Sequence, residues 1–319
     1  MNLQDKTLLI TGIGGSIGLR TAELALAQGM KVRGLQRSAD KAQKARDLGA
    51  EVLVGSINDP EAAKLACENV DIVLHAAAIV KETGNAEEFY STNVHGTLTM
   101  ATAAINAHVG TFVNLSSVMV YGMNYANGIT EEGALYTGKN FYCRTKIEAE
   151  KLLLQLNNPP HFGVINIRPG DVYGPNATSW VVRPLQMMRS GKFVLVNGGC
   201  GVMNHVYIDN LIDGCFLAIE KQAYGETFNI TDGAQTSWKD YYSRLATISN
   251  QPKPISMPAF LAKAAAKALN ISPDTIGFTT RPYPYSIEKA RQSLGYVPRI
   301  TLDEGMSRTA DWLRQTPLL

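Results

Sequence analysis

Tyr142 and Lys146 stand four residues apart in Phe141-Tyr142-Cys143-Arg144-Thr145-Lys146, at the start of a helical pattern. That spacing puts a phenol and an ammonium on one helix face. A neighbouring cation favours the phenolate. A tyrosine that titrates near pH ~10 when free can then exchange a proton with a hydroxyl group near neutrality. Just upstream, Leu115-Ser116-Ser117-Val118-Met119-Val120-Tyr121-Gly122 offers two hydroxyls. Phenol, ammonium and hydroxyl are the parts of a site for carbonyl/alcohol redox chemistry. The pair alone also occurs on solvated helices, so the elements that position it decide.

The first of those elements lies at the start of the chain. Thr7 to Ile10 is a short apolar run, followed by Thr11-Gly12-Ile13-Gly14-Gly15-Ser16-Ile17-Gly18 and an amphipathic helix to Gly29. Strand, glycine turn and helix in that order are the context of a dinucleotide-binding turn, its plainer alternative being a glycine-rich loop with no ligand. Gly12 allows the tight turn, Gly15 lets the backbone approach a pyrophosphate, Gly18 permits close helix packing, and the first helical amides face the phosphates.

Apolar runs then alternate with helical patterns. Lys31 to Leu35, Glu51 to Gly55, Ile72 to Leu74, Thr111 to Leu115 and Gly163 to Ile167 read as strands two to six, and Thr227 to Ile230 as a late strand. This predicts an α/β fold, a Rossmann-type doubly wound parallel sheet covered on both faces, with the ligand beyond the carboxyl ends of the strands. Leu115-Ser116-Ser117 and His75-Ala76-Ala77-Ala78 are two such ends.

These residues resemble the extended short-chain dehydrogenase/reductases, the NAD-dependent epimerase/dehydratase group, with its hydroxysteroid dehydrogenase and dihydroflavonol reductase branches. The glycine turn is similar to their TGxxGxxG, His75 to Ala78 to their HxAA, and Asn93 to the Asn of their NxxGT helix. Arg168 to Pro175 resembles RPxxVYGP, His205 to Asn210 resembles HVxD(N/D), and Leu294-Gly295-Tyr296 with Pro298 resembles LGYxP. The match runs from about Leu8 to Leu313 in the right order.

The resemblance implies roles. Tyr142 would be the acid/base, and Lys146 would lower its pKa and bind the nicotinamide ribose. Ser117 would orient the substrate oxygen, and Asn93 would support the site from behind, its plainer alternative being a buried Asn that satisfies a helix kink. Ser116 reads instead as a strand-end residue bonding backbone. The cofactor would contact Thr11, Gly12, Gly14, Gly15, Ser16, Ile17, Gly18, Arg37, Ser38, Ile57, Ala76, Ala77, Ala78, Tyr142, Lys146 and Pro169. Ser56-Ile57 stands where the family often has Asp-Leu, which leaves Asn58 or Asp59 as candidates for the adenine contact. The cofactor-binding domain is expected to take residues 1–168 and 204–232. Residues 169–203 and 233–319 would form a smaller, mostly helical C-terminal substrate lobe.

Arg37 stands where NAD-selective enzymes of this fold usually carry an acid, so NADP is the first expectation and NAD the alternative. Arg37 would clamp the 2′-phosphate, with Ser38 adding a hydroxyl. Three function classes stay open: an alcohol/ketone oxidoreductase, a nucleotide-sugar epimerase or dehydratase with tightly bound NAD(P), and a non-catalytic cofactor-binding assembly protein. Gly198 to Asn204, just before His205, holds no Arg or Lys for a diphosphate, although Arg281 could serve from the late lobe. Trp180, Met187, Met188, Phe193, Met203, Tyr283 and Tyr285 supply apolar surface for either a pocket or lobe core. A small-molecule substrate with an alcohol or keto group and an apolar body is therefore expected.

The chain has 319 residues, 45% hydrophobic content and a formal charge of +2, which argues against a nucleic-acid surface. Cys67, Cys143, Cys200 and Cys215 form no CxxC pair and fit a reducing cytoplasm, with Cys143 packed in the core. His75, His95 and His205 lie apart, with no carboxylate at ligand spacing, so no metal is expected; His75 reads as structural. No segment reads as a signal peptide or a membrane span. Pro258 to Leu269, interrupted by Lys263 and Lys267, reads as an amphipathic helix packed on the substrate lobe, with membrane contact as the second alternative. A homodimer stays open.

Overall fold

The computed structural model describes residues 1–81, 84–268 and 273–316. Seven parallel strands form the main sheet: β1 Thr7–Thr11, β2 Lys31–Gln36, β3 Glu51–Val54, β4 Ile72–His75, β5 Thr111–Leu115, β6 Gly163–Pro169 and, after four short strands, β11 Thr227–Ile230. Their order across the sheet is β11-β6-β5-β4-β1-β2-β3. The expected doubly wound sheet is thus present, with strand boundaries within two residues of those read from the sequence.

Buried strands in such a sheet read as unbroken apolar runs because both faces are covered. Alternate residues of one strand go to opposite cores. Leu8, Ile10, Ile72, Leu74, Val113 and Ile165 join one cluster, whereas Leu9, Val73, Phe112 and Val164 join the other. Each fully buried large aliphatic side chain contributes roughly 1.5–3 kcal/mol. The helices over these faces are α1 Ser16–Ala27, α2 Ala39–Asp47, α3 Pro60–Cys67, α4 Ala86–Tyr90, α5 Gly96–Asn106 and α6 Phe141–Leu156, then α8 Ile208–Glu220, while α7 Arg183–Arg189 lies outside this layer. Arg20 of α1 forks onto Asp209 of α8 at 2.7 and 2.8 Å, and Arg308 joins the same carboxylate at 3.2 Å.

The chain builds β1, β2 and β3 outward, then returns to place β4 on the other side of β1. That reversal opens a crevice at the carboxyl ends. Thr11 lies opposite His75, His75 opposite Asn114, and Leu115 opposite Ile167. The glycine turn, the His75–Ala78 segment and Ser116-Ser117 therefore leave the sheet along one edge.

The remaining elements are short strand pairs and helices. β7 Asp171–Tyr173 pairs with β10 His205–Tyr207, β8 Val194–Val196 with β13 Ile255–Met257, and β9 Val202–Met203 with β12 Thr236–Ser237. The helices are α9 Trp238–Ile248, α10 Ala259–Ala268, α11 Pro273–Thr279, α12 Glu288–Leu294 and α13 Leu302–Gln315. A reading of this region as mostly helical missed those strands, because two or three residues show no alternation. An aromatic cluster of Tyr173, His205, Tyr207 and Tyr241 fills its interior, edge to face.

Helix α10 departs from the expected lobe packing. It buries Ala262 and turns Phe260 and Leu261 outward, 71% and 48% exposed. Leu269, the expected end of this helix, lies outside the described residues.

Candidate active site

The glycine turn has the shape a dinucleotide needs. Gly12 has φ +70°, and a Cβ there would meet Ala77 backbone at 3.1 Å. At Gly18 a Cβ would stand 2.6 Å from the Gly12 carbonyl, so only glycine lets α1 start this close to β1. Gly15 caps α1 without a side-chain bond, and the first turn, with Ser16 and Ile17, carries no acid. Uncapped amides at a helix N-terminus fit a pyrophosphate. Gly14 is held differently from its neighbours: its amide donates to Gln36 Oε1 at 3.2 Å, and Lys41 packs over it.

Behind the turn runs a buried polar chain. Ala77 N donates to Thr11 Oγ1 at 3.1 Å, Thr11 meets His75 Nδ1 at 2.9 Å, and His75 Nε2 meets Thr97 Oγ1 at 3.0 Å. Thr97 spends its proton on the Asn93 carbonyl at 2.8 Å, so His75 Nε2 carries the hydrogen and Nδ1 accepts from Thr11. Burial pushes the His75 pKa down to about 3, which keeps the ring neutral. This is the structural role read from the sequence.

Asn93 lies in a π-helical turn, Ser91–His95, between α4 and α5. Its Oδ1 accepts from Ile79 N at 2.8 Å, and its Nδ2 donates to Ile79 O and Thr145 Oγ1, each at 3.2 Å. The amide thus ties the segment after Ala76, Ala77 and Ala78 to α6, the helix of Tyr142 and Lys146. Ile57 is buried against Gly96, and Asn58 donates to Ser91 Oγ at 2.9 Å. Asp59 caps α3 through Glu61 N.

Ser117 leads into a 3₁₀ turn, Val118–Tyr121, and accepts from Met119 N at 3.1 Å. Gly122 then takes φ +73° with Tyr136 packed where a Cβ would sit. Asn140 caps α6 through Cys143 N at 3.1 Å, which starts the helix just before Tyr142. Cys143 itself is fully buried, as expected. The Tyr142 hydroxyl faces that of Ser117, which favours the ionised form of the phenol. Ser116 differs from its expected backbone bond: its amide donates to Ile167 O at 2.7 Å, but its buried Oγ has no partner among the described residues.

The electrostatics correct one expectation. Burial pushes the Tyr142 pKa up to about 12, partly opposed by the Ser117 hydroxyl. Lys146 does not hold it down. Its buried Nζ donates to Leu115 O at 2.7 Å, and burial lowers its own pKa to about 8, with Glu150 one turn on opposing that drop. Desolvation of the phenolate outweighs the cation's pull in the ligand-free protein.

Glu150 is itself clamped by Arg168 at 2.7 and 3.0 Å, both side chains buried. Arg168 also donates to Tyr121 Oη at 2.7 Å, and Tyr121 donates to Asn229 Oδ1 of β11. The turn after Ser117 is thereby pinned to the sheet. Pro169 ends β6 beside this network, opposite Ile230.

Other expected contacts fall as follows. Arg37 is exposed just past β2, and Ser38 caps α2 by accepting from Lys41 N at 3.4 Å, which leaves its proton free to donate. Gln36, the last residue of β2, was missed; the signal for it was its place at the strand end. Arg281 is fully buried, and its Nη2 donates to Asp171 Oδ2 at 2.8 Å, so it does not face an open cleft. Met188 and Met203 are core, Trp180 and Phe193 pack against the same core, Tyr285 is buried in a second cluster with Tyr121 of the turn after Ser117, and Met187 and Tyr283 are exposed. Tyr125, also missed, stacks on Tyr285 at 4.6 Å. His205 is committed to Asp232 and Thr236, each at 2.8 Å, and no group of metal-ligating side chains occurs among the described residues.

Residues 8–231 match the NAD dependent epimerase/dehydratase family. The chain belongs to that family. A 4-hydroxy-2-methyl-3-oxo-4-farnesyl-3,4-dihydroquinoline-1-oxide ketoreductase of Stigmatella aurantiaca is 29% identical, covering 96% of this chain and 95% of its own. A UDP-glucose 4-epimerase of Vibrio cholerae is 28% identical, covering 96% and 94%. Among solved structures, UDP-glucuronic acid 4-epimerase from Bacillus cereus, in complex with UDP-glucuronic acid and NAD, aligns with TM-score 0.79 at 22% identity over 97% of this chain and 99% of that one. The epimerase/dehydratase family member described here is an enzyme of the extended short-chain dehydrogenase/reductase type.

Proposed function

We propose that this enzyme interconverts a secondary alcohol and a ketone on a small molecule with an apolar body, and that it prefers NADP. The nicotinamide, when bound, supplies or takes up the hydride. Tyr142 Oη gives a proton to the carbonyl oxygen in reduction or removes one from the hydroxyl in oxidation. Ser117 Oγ, already facing the Tyr142 hydroxyl, orients that oxygen. Lys146, held at the end of β5, places positive charge beside the reacting pair. Asn93 holds the loop and helix between which the parts sit. The same roles serve a nucleotide-sugar epimerase, so the choice rests on substrate recognition.

The observation that carries it is the state of Arg281. A diphosphate needs cationic donors. The guanidinium expected to serve one from the lobe is wholly buried on Asp171, and Gly198 to Asn204 contributes no cation. The similarity to a ketoreductase whose named substrate bears a farnesyl group supports the same reading. For the cofactor, Arg37 stands free beyond β2, and an amide, Gln36, ends the strand, so no carboxylate there repels a 2′-phosphate.

The test is a substrate panel with the purified enzyme. Oxidation of NADPH by cyclic and aryl ketones, read by nicotinamide absorbance, is the expected result. Tight binding of UDP- or TDP-sugars with an epimerised product would instead establish the second reading, which the similarity to the Vibrio epimerase favours.

A further inference from the structure

The first turn of helix α10 is built inside out. A helix on a soluble lobe normally buries its large apolar side chains. This one buries Ala262 against Val196 and Ile276, while Phe260 is 71% and Leu261 48% exposed. Ile255, on the strand leading into it, is 68% exposed. Three large apolar side chains thus face outward within seven residues.

Along the chain the charge next to them has one sign, the first acid beyond them being Asp274 at the start of α11. From Leu245 to Pro273 the sequence holds Lys253, Lys263 and Lys267 and no Asp or Glu. Lys253 and Lys263 are exposed and make no ion pair among the described residues. Phe260, Lys263 and Ala264 recur at the spacing of one helix face. An aromatic and aliphatic face flanked by lysines, with long stems that keep their ammonium groups in water, matches the boundary between acyl chains and anionic headgroups. A second copy fits poorly: a two-fold pairing through this face brings the lysines of both copies into one contact to which the stretch Leu245–Pro273 adds no carboxylate.

We propose that α10 and the preceding strand dock this enzyme on an anionic lipid bilayer surface, with Ile255, Phe260 and Leu261 entering the interface and Lys253 and Lys263 on the headgroups. The docked helix borders the active-site region. Its inner face meets α11 through Ile276, and Gly277 of α11 lies against Met123, which follows the turn of Ser117. An apolar substrate dissolved in the bilayer would be met on this side of the molecule. The surface assignment itself does not depend on which carbonyl or sugar the enzyme accepts.

The test is flotation of the full chain with phosphatidylcholine vesicles, with and without phosphatidylglycerol. Two double variants are compared, Phe260→Ser/Leu261→Ser and Lys253→Glu/Lys263→Glu, with thermal melting as the control for folding. Recovery with the anionic vesicles, falling as salt is added, is expected. The serine pair should lower partitioning roughly tenfold or more, and each lost lysine should lower it about fivefold before charge reversal adds to this. The proposal is overturned by no recovery beyond the vesicle-free control, by recovery that neither double variant changes, or by equal binding to neutral and anionic vesicles. It is overturned equally by a dimer that dissociates in the serine variant, which would assign the face to a second copy.

Discussion

Lys146 Nζ donates to the Leu115 carbonyl at 2.7 Å, which fixes the ammonium at the end of β5 beside Ser117 and leaves the Tyr142 phenol to be governed by its burial. A phenol pushed up to about 12 is firmly protonated at neutral pH. The free enzyme therefore stands ready as an acid, the form required for ketone reduction.

If Tyr142 moves the proton, Tyr142→Phe should lower turnover by ~10²–10⁴-fold while the melting temperature and cofactor affinity change little. Steady-state kinetics of the purified variant check this. Turnover within a few-fold of the parent at its optimal pH removes Tyr142 from the mechanism.

Lys146 carries a stability signature. Its folded pKa is lowered to about 8 from 10.5, so the unfolded chain binds more protons between those values. The cost of burying the charge is fully present below pH 8 and disappears as pH rises to 10.5, amounting to about 3 kcal/mol. Lys146→Met should be more stable relative to the parent at pH 7 than at pH 10.5. Denaturant melts at the two pH values test this, and an unchanged difference would contradict it.

Glu150 opposes the drop in the Lys146 pKa from one turn away. In Glu150→Gln the ammonium should lose its proton at lower pH, moving the alkaline limb of kcat/KM to lower pH. The ratio of activities on the two sides of that limb is the readout, since general destabilisation scales both. An unmoved limb means Glu150 only anchors Arg168.

Arg37→Ala should weaken NADPH by about tenfold to a hundredfold and NADH far less, the scale of a lost charge-assisted bidentate contact. Competitive titration of both cofactors decides. Equal losses would place Arg37 away from the 2′-phosphate.

Asp171→Asn should cost about 3–5 kcal/mol, because it leaves the wholly buried Arg281 without a counter-charge. The paired change Asp171→Leu/Arg281→Met should cost much less, since both charges go together. Chemical denaturation of the three proteins gives the comparison; additive losses would mean the two side chains act independently.

The sheet was legible because most of its strands are apolar runs closed by a turn or helix, and both faces of such a run must be covered. The glycine turn was legible because its backbone demands are local: φ +70° at Gly12 and contact at Gly18. What failed depends on long-range packing. Spacing brought Lys146 near Tyr142, but how deeply the phenol is buried is set by elements far away in the chain. Arg281 looked available until Asp171, 110 residues earlier, was found against it. Ser116 and Ser117 were told apart only by the family's spacing; the turn after β5 gives Ser117 a partner and leaves the Ser116 hydroxyl without one among the described residues.

The order of the sheet also bears on how the protein is made. Strand β6 lies between β5 and β11, yet β11 is reached only after the chain has run through β7 to β10 and α8. On the ribosome, a nascent chain that has completed β6 therefore presents a wholly buried-type strand, Gly163–Pro169, as an open edge. An unpaired apolar edge is a template for wrong pairing. Products that stop between Pro169 and Thr227 should aggregate even though the glycine turn, Ser117, Tyr142 and Lys146 are all present in them. Vectorial synthesis thus leaves this sheet vulnerable until Thr227–Ile230 has emerged.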